Sequence, residues 1–299
     1  MFCGNTYKGE RGYQDLLRFI IDNGSNIEDR TGVGCRSVFD AKIQIEEGEF
    51  PFSTIRSAPL RFAFEEYWMF LRGETQTKYL EEKGIFFWQG NTSREFLDNR
   101  GLAGLEEGDM GMAYGYQWRH FNKNLVPNEY VVDQLKETYK ALTEDRYSRR
   151  ILTTLWNPSA TPYMALTSCH WATQFCVIPD KDGVDTLHLK TLNRSLDTTF
   201  GLVFFLQQAR LYQMAMAKLC GLKVGTMVTD LSHVHIYNNA IEYALEVSER
   251  ELGVPGKVEI IKELNTLEDL VGMTWGDIKV TDLVVNKKPF KNERPPMAV

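Results

Sequence analysis

The sequence predicts a single α+β domain spanning residues 1–299. Helix-like and strand-like stretches follow one another without the regular strand–helix alternation of a parallel α/β sheet. No internal repeat, low-complexity tract or Pro/Ser-rich linker divides the chain. With 299 residues and 43% hydrophobic content, the chain can bury one substantial core.

Taken in order, residues 12–23 form an amphipathic helix, with Leu16, Leu17, Phe19, Ile20 and Ile21 on its apolar side. A Gly-x-Gly turn, Arg30-Thr31-Gly32-Val33-Gly34, follows, and its backbone can approach a ligand closely. Arg30 is an anion contact there or part of a plain surface loop. Alternation over residues 37–46 reads as a strand. Residues 60–71 are apolar nearly all round, which marks a buried helix, closed by Gly73. Glu65 and Glu66 fall inside it, and such a carboxylate sits either at a rim or in a site, where burial lets it carry protons near neutrality.

A short helix over residues 76–83 leads to Ile85-Phe86-Phe87-Trp88, suited to a flat ring or to a core. Residues 91–108 are a polar surface excursion. Glycines bracket Tyr114 and let its phenol be presented at a set angle. Residues 131–142 read as an amphipathic helix. Ser148-Arg149-Arg150 precedes a strand over 151–156, and adjacent arginines there are a phosphate fork or simply solvated. Strands over 174–178 and 187–192 and a long apolar helix over 204–219 follow. His233 and His235 share a strand face, without a third metal ligand at a usual spacing. Late strands cover 258–263 and 278–285.

The function classes are bounded by charge. The net charge of −6 offers no general attraction to nucleic acid or anionic membrane, so an anion site must be a local arginine cluster. No run of about 18 apolar residues predicts a membrane span. The start of the chain lacks a signal-peptide pattern. The five cysteines are scattered and read as free thiols of a cytoplasmic protein. Among them Cys169 stands out. His170 follows it directly, and a strand-like run lies beyond. A thiol at the end of a loop, close to a cation, is a nucleophile; away from one it is a small buried hydrophobe.

Together these stretches resemble the thymidylate synthase family over nearly the whole chain. The resemblance is carried by Asp29-Arg30-Thr31-Gly32-Val33-Gly34, the helix with Glu66, Trp88, Tyr114-Gly115-Tyr116-Gln117-Trp118-Arg119, Ser148-Arg149-Arg150, Cys169-His170, Arg194-Ser195-Leu196-Asp197, His235-Ile236-Tyr237 and the terminal Met297-Ala298-Val299. It implies a twisted mixed sheet with helices on one face, two such sheets packing back to back in a homodimer. It implies one-carbon transfer from 5,10-methylenetetrahydrofolate to C5 of a pyrimidine deoxynucleoside monophosphate. Cys169 would attack C6, with Glu66, Tyr114, Asp197 and His170 as further catalytic residues. The phosphate would be held by Arg30, Arg194 and Ser195, with Arg149 and Arg150 donated across the dimer interface. His235 and Tyr237 would hold the ribose, and position 205 would face the base. Trp88, Asp197, Gly201, Phe204 and Val299 would form the folate side.

Four departures bear on the base and the product. Ser168 replaces a proline before the nucleophile. Phe205 stands where the family places the asparagine that reads the base, and a phenyl ring can neither donate nor accept in the base plane. Ser232-His233 replaces Gly-Asp, and Lys287-Lys288-Pro289-Phe290-Lys291 replaces a Tyr-x-Pro-His-Pro pattern. Gln207, Gln208 and His233 are candidate replacement readers. The departures tilt the expectation toward a hydroxymethylase acting on dUMP or dCMP. Trp88 and the Met-Ala-Val tail support the alternative, reductive methylation of dUMP by an orthodox synthase. An inactive nucleotide- or RNA-binding relative is a third reading, opposed by the acidic charge and the intact Cys169, Arg194 and Asp197.

Overall fold

The computed structural model of the chain describes residues 1–296. Val299 and its two preceding residues lie outside the described residues. The elements in order are β1 (Phe2–Lys8), α1 (Gly9–Asn23), β2 (Ser25–Ile27), β3 (Cys35–Ile45), α2 (Leu60–Leu71), α3 (Lys78–Glu81), α4 (Arg94–Asn99), α5 (Gly115–Arg119) and α6 (Gln134–Glu144). They continue with β4 (Leu152–Thr154), β5 (His170–Pro179), β6 (Asp185–Asp197), α7 (Gly201–Leu219), β7 (Lys223–Tyr237), α8 (Ile241–Glu249), β8 (Lys257–Ile260), α9 (Leu267–Val271) and β9 (Ile278–Thr281).

A mixed sheet in the order β1-β3-β7-β6-β5-β4 forms the centre, with β2 on β3. β1 and β3 are parallel, as are β6 and β7, while the pairs β3–β7, β5–β6 and β4–β5 are antiparallel. This is the mixed α+β architecture that the sequence predicts.

The inner face of the sheet is built in rows. Phe175, Leu189, Met227 and Ile45 lie side by side across four strands, all buried. The next row is Thr173, Thr191, Thr229 and Ile43. Its hydroxyls are paired within the core, Thr191 Oγ1 donating to Thr229 Oγ1 at 3.0 Å and Thr173 Oγ1 meeting His170 Nε2 at 2.8 Å. The row beyond holds His170, Asn193 and Leu231, so the apolar floor turns polar there. The opposite face carries Gln174, Lys190, Val228 and Gln44, all at least partly exposed.

α1 and α7 pack on the sheet, and α2 packs on α7. α7 packs on β6, β7 and α2. Its Arg210 is almost fully enclosed. It donates to the carbonyls of Glu49, Glu46 and Gly225 and to Gln213 Oε1, so this buried cation ties the helix to two loops. α2 has the predicted bounds and carries both kinds of carboxylate. Glu65 is the rim residue, accepting from Tyr79 Oη at 2.7 Å and Lys83 Nζ at 3.2 Å. Glu66, one residue on, faces the cleft.

Several boundaries differ from expectation. The helix over 131–142 begins at Gln134, because Asp133 caps it and Val132 bridges to Phe121. The strand over 151–156 shrinks to β4. The polar stretch 91–108 contains α4, capped by Ser93 accepting from the Phe96 N–H. β1, α8, α9 and most of β7 are not expected from the pattern alone.

Candidate active site

At the polar end of the inner face, β5, β6 and β7 meet the N-terminus of α7 and the turn after β2. The cleft there has two halves. One is aromatic, walled by Glu66, Phe87, Trp88, Tyr114, Phe204 and Phe205. The other is polar, walled by Arg30, Arg194, Ser195, Asp197, His235 and Tyr237. Cys169 lines both halves, as do Asn91, Leu166, Leu196 and Gly201.

The loop before β5 presents the thiol. The Cys169 N–H donates to Tyr114 Oη at 2.9 Å. Arg194, on the neighbouring strand, donates its Nε to the Ser168 carbonyl at 2.9 Å. Its Nη2 donates to the Thr167 carbonyl at 2.8 Å and to Thr167 Oγ1 at 2.9 Å. The same Nη2 stands 3.7 Å from Cys169 Sγ. One guanidinium therefore shapes the loop and places positive charge beside the sulfur. His170 points into the fold. Its Nε2 shares Thr173 Oγ1 at 2.8 Å and the Ala172 carbonyl at 3.1 Å, and burial pushes its pKa down to about 4. The ring is a neutral imidazole held by the protein.

Tyr114 has φ 23°, a backbone conformation rare outside glycine. Gly115 follows it, at a position where a Cβ would collide with the Glu74 carbonyl oxygen. The phenol ring stacks on Phe70 at 4.9 Å with an interplanar angle of 13°. Burial raises its pKa well above the usual value. Because Tyr114 Oη accepts from Cys169, its own proton is available to a group in the cleft.

Glu66 accepts from Trp88 Nε1 at 2.6 Å and from Gln208 Nε2 at 2.5 Å. Burial pushes its pKa up to about 7, against the pull of these two donors, so it can hold or release a proton near neutrality. Burial likewise raises Asp197 to about 6, while the Thr199 N–H donates to its Oδ1 at 2.8 Å. Burial and then His233 lower His235 to about 4, and burial lifts Tyr237 to about 12.

Arg30 sits on a turn fixed by Asp29 Oδ1, which accepts from the Thr31 N–H at 2.8 Å. Gly34 has φ 71°, and a Cβ there would lie 2.7 Å from Asn238 Nδ2. Arg149 and Arg150 are exposed before β4 and line neither half of the cleft. Among the candidate base readers, Phe205 packs on the His170 ring at 4.9 Å. Gln207 turns away, donating to the Ala58 carbonyl at 3.4 Å. Gln208 is occupied by Glu66, and His233 lies with Ser37 and His235 in the polar half.

Two wall residues escape a reading of the sequence. Asn91 Nδ2 and Asn193 Oδ1 are buried without a hydrogen-bond partner. Arg294 also lines the aromatic half and lies over the Phe200 ring at 4.9 Å. Asn193 adjoins the Arg194 motif; only its burial distinguishes it. Among the described residues, no group of three or more His, Cys, Asp or Glu is placed to hold a metal ion. No described helix is long and apolar enough to cross a membrane.

A buried carboxylate poised near neutrality, an arginine-backed thiol and two arginines in the polar half share one cleft. The family model described as thymidylate synthase matches residues 11–292, and the chain belongs to that family. A probable thymidylate synthase of Schizosaccharomyces pombe is 38% identical over 253 residues, covering 81% of this chain and 40% of that protein. Bifunctional dihydrofolate reductase-thymidylate synthases are also similar. That of Leishmania major is 38% identical over 240 residues, 78% of this chain and 46% of that protein. That of Paramecium tetraurelia is 37% identical over 277 residues, 91% of this chain and 58% of that protein. The chain spans about half the length of these curated relatives.

Proposed function

We propose that the protein transfers a one-carbon unit from 5,10-methylenetetrahydrofolate to C5 of dUMP, giving dTMP. The observation that carries this reading is the position of Cys169 at the seam of an anion-binding half and an aromatic half, with Arg194 3.7 Å from its sulfur. The names of the relatives favour the methyl product.

The site residues fit both substrates. The dianionic phosphate meets Arg30, Arg194 and Ser195, and guanidinium forks suit it because they stay charged. His235 and Tyr237 hold the sugar hydroxyl. The walls around Trp88, Phe87 and Phe204 suit a flat ring, and the unpaired Asn91 and Asn193 atoms offer polar contacts at its edge. Asp197 and Gly201 complete the folate side. When bound, the folate supplies the methylene carbon and, for a methyl product, the hydride.

The protein's part is nucleophilic and acid–base. The Cys169 thiolate forms a bond to C6 of the pyrimidine, and the C5–C6 π electrons make C5 the attacking carbon. Glu66 shuttles a proton between base and folate, at a pKa suited to both directions. The Tyr114 hydroxyl assists departure of the C5 proton. Release of the sulfur from C6 returns the thiolate. Arg149 and Arg150 reach the phosphate of a partner subunit across the exposed sheet face, in a two-fold homodimer.

A second reading is hydroxymethyl transfer to dUMP or dCMP, favoured by Phe205, whose ring packs on His170 and offers the base no hydrogen bond. One assay separates the two. Purified protein is incubated with dUMP or dCMP and methylenetetrahydrofolate, the nucleotide is weighed, and dihydrofolate is followed by absorbance. A methyl product with stoichiometric dihydrofolate is expected. A hydroxymethyl product without dihydrofolate overturns the first reading, and no product from either nucleotide overturns both.

A further inference from the structure

We propose that Asn193 reads the pyrimidine edge, its Oδ1 accepting the N3–H of uracil; this rests on the nucleotide reading above. Asn193 stands opposite His170 in the β5–β6 register, one residue before Arg194. The Arg194 N–H in turn donates to the Cys169 carbonyl at 2.9 Å. The side chain therefore lies beside the reactive thiol and forms part of the aromatic half of the cleft.

Only 1% of Asn193 is exposed, yet Oδ1 has no hydrogen-bond partner. The other end of the amide sets its orientation. Nδ2 donates to the Asp230 carbonyl at 3.4 Å, and a carbonyl can only accept, so Oδ1 is the free end. A buried acceptor left unpaired is costly, and a donor that satisfies it is bound selectively.

The neighbouring polar groups are already engaged. Gln208 donates to Glu66, His170 is tied to Thr173 and Ala172, and Phe205 covers the His170 ring. Among the residues lining the cleft, Asn193 Oδ1 is the fully buried side-chain acceptor without a partner. An acceptor suits N3–H of uracil; at the same ring position cytosine carries a lone pair and is repelled.

The test is calorimetric titration of the whole protein with dUMP, dCMP and 3-methyl-dUMP, in which a methyl group replaces the N3 donor. The wild type is expected to bind dUMP roughly 10-fold or more tightly than 3-methyl-dUMP. In Asn193→Leu, dUMP binding should weaken to about that of the methylated analogue, while the analogue is little changed. Equal binding of dUMP and 3-methyl-dUMP by the wild type overturns the assignment and requires no variant. Retained discrimination in a folded Asn193→Leu also overturns it. Failure of every pyrimidine nucleotide to bind would instead remove the nucleotide reading on which it rests.

Discussion

The backbone N–H of Cys169 donates to the hydroxyl of Tyr114 across 55 residues of sequence, at 2.9 Å. The contact ties the loop before β5 to a tyrosine whose own backbone is in a left-handed conformation. Strain of this kind persists only where surrounding structure enforces it, and here the Phe70 stack and the Cys169 contact hold the ring. Tyr114→Phe leaves the Cys169 N–H unpaired and removes the phenolic proton from the cleft. The expected result is a loss of about 1–3 kcal/mol in stability, with kcat down roughly 100-fold. Thermal melts and steady-state kinetics measure the two effects separately.

Glu66 makes stability fall as pH rises. Its pKa lies at about 7 in the fold against 4.5 in the unfolded chain. Between those values the native state keeps a proton that the unfolded state has released. The stabilisation is full below 4.5, is lost as pH rises through about 7, and amounts to about 3 kcal/mol. Glu66→Gln should remove this slope. Urea titrations between about pH 4 and about pH 8 should show the wild type losing stability relative to the variant up to about pH 7 and no further.

His170 acts at the acid end with the opposite sign. Its pKa falls from 6.5 to about 4 on burial, so the unfolded chain takes up a proton that the native state refuses. Stability is therefore full above 6.5 and is lost as pH falls through about 4. His235 has the same depression and contributes in the same window. His170→Asn should be less stable at neutral pH, through lost packing on Phe205, yet its melting temperature should decline less steeply between pH 6.5 and 4.

Arg194 joins loop geometry to thiol chemistry. Lysine keeps the charge but cannot reproduce the contacts to Ser168 and Thr167 from one planar fork. Arg194→Lys should slow alkylation of Cys169 by iodoacetamide and weaken nucleotide binding by roughly 10-fold or more. Peptide mapping of the alkylated cysteine supplies the first measurement. Cys3, Cys35 and Cys220 are buried, so the competing signal would come from Cys176.

Strong local patterns are legible in the sequence itself. α2 and α7 are long apolar runs whose burial follows from composition, and the Cys169, Arg194 and Asp197 motifs lie where the cleft forms. β1 is not legible because Phe-Cys-Gly-Asn-Thr-Tyr-Lys has no apolar alternation; it exists by pairing with β3. Val131 and Val132 mimic the first turn of a helix, but Val132 is used in a bridge and Asp133 caps α6. By apolar pattern alone Glu65 and Glu66 are equivalent; the family resemblance singles out Glu66, and their partners in the fold separate them. Asn91 and Asn193 carry no local signal, because an unpaired buried atom is a property of packing.

Nucleophilic catalysis here requires a covalent bond from Cys169 to C6 of the nucleotide. It is tested most directly by the intact mass of the protein after incubation with 5-fluoro-dUMP and methylenetetrahydrofolate. Fluorine at C5 cannot leave as a proton does, so the sulfur stays bonded to C6. A single covalent adduct carrying one nucleotide and one folate, mapped to Cys169 and absent in Cys169→Ala, is expected. An adduct on another residue, or product formation from dUMP that persists in Cys169→Ala, would contradict it.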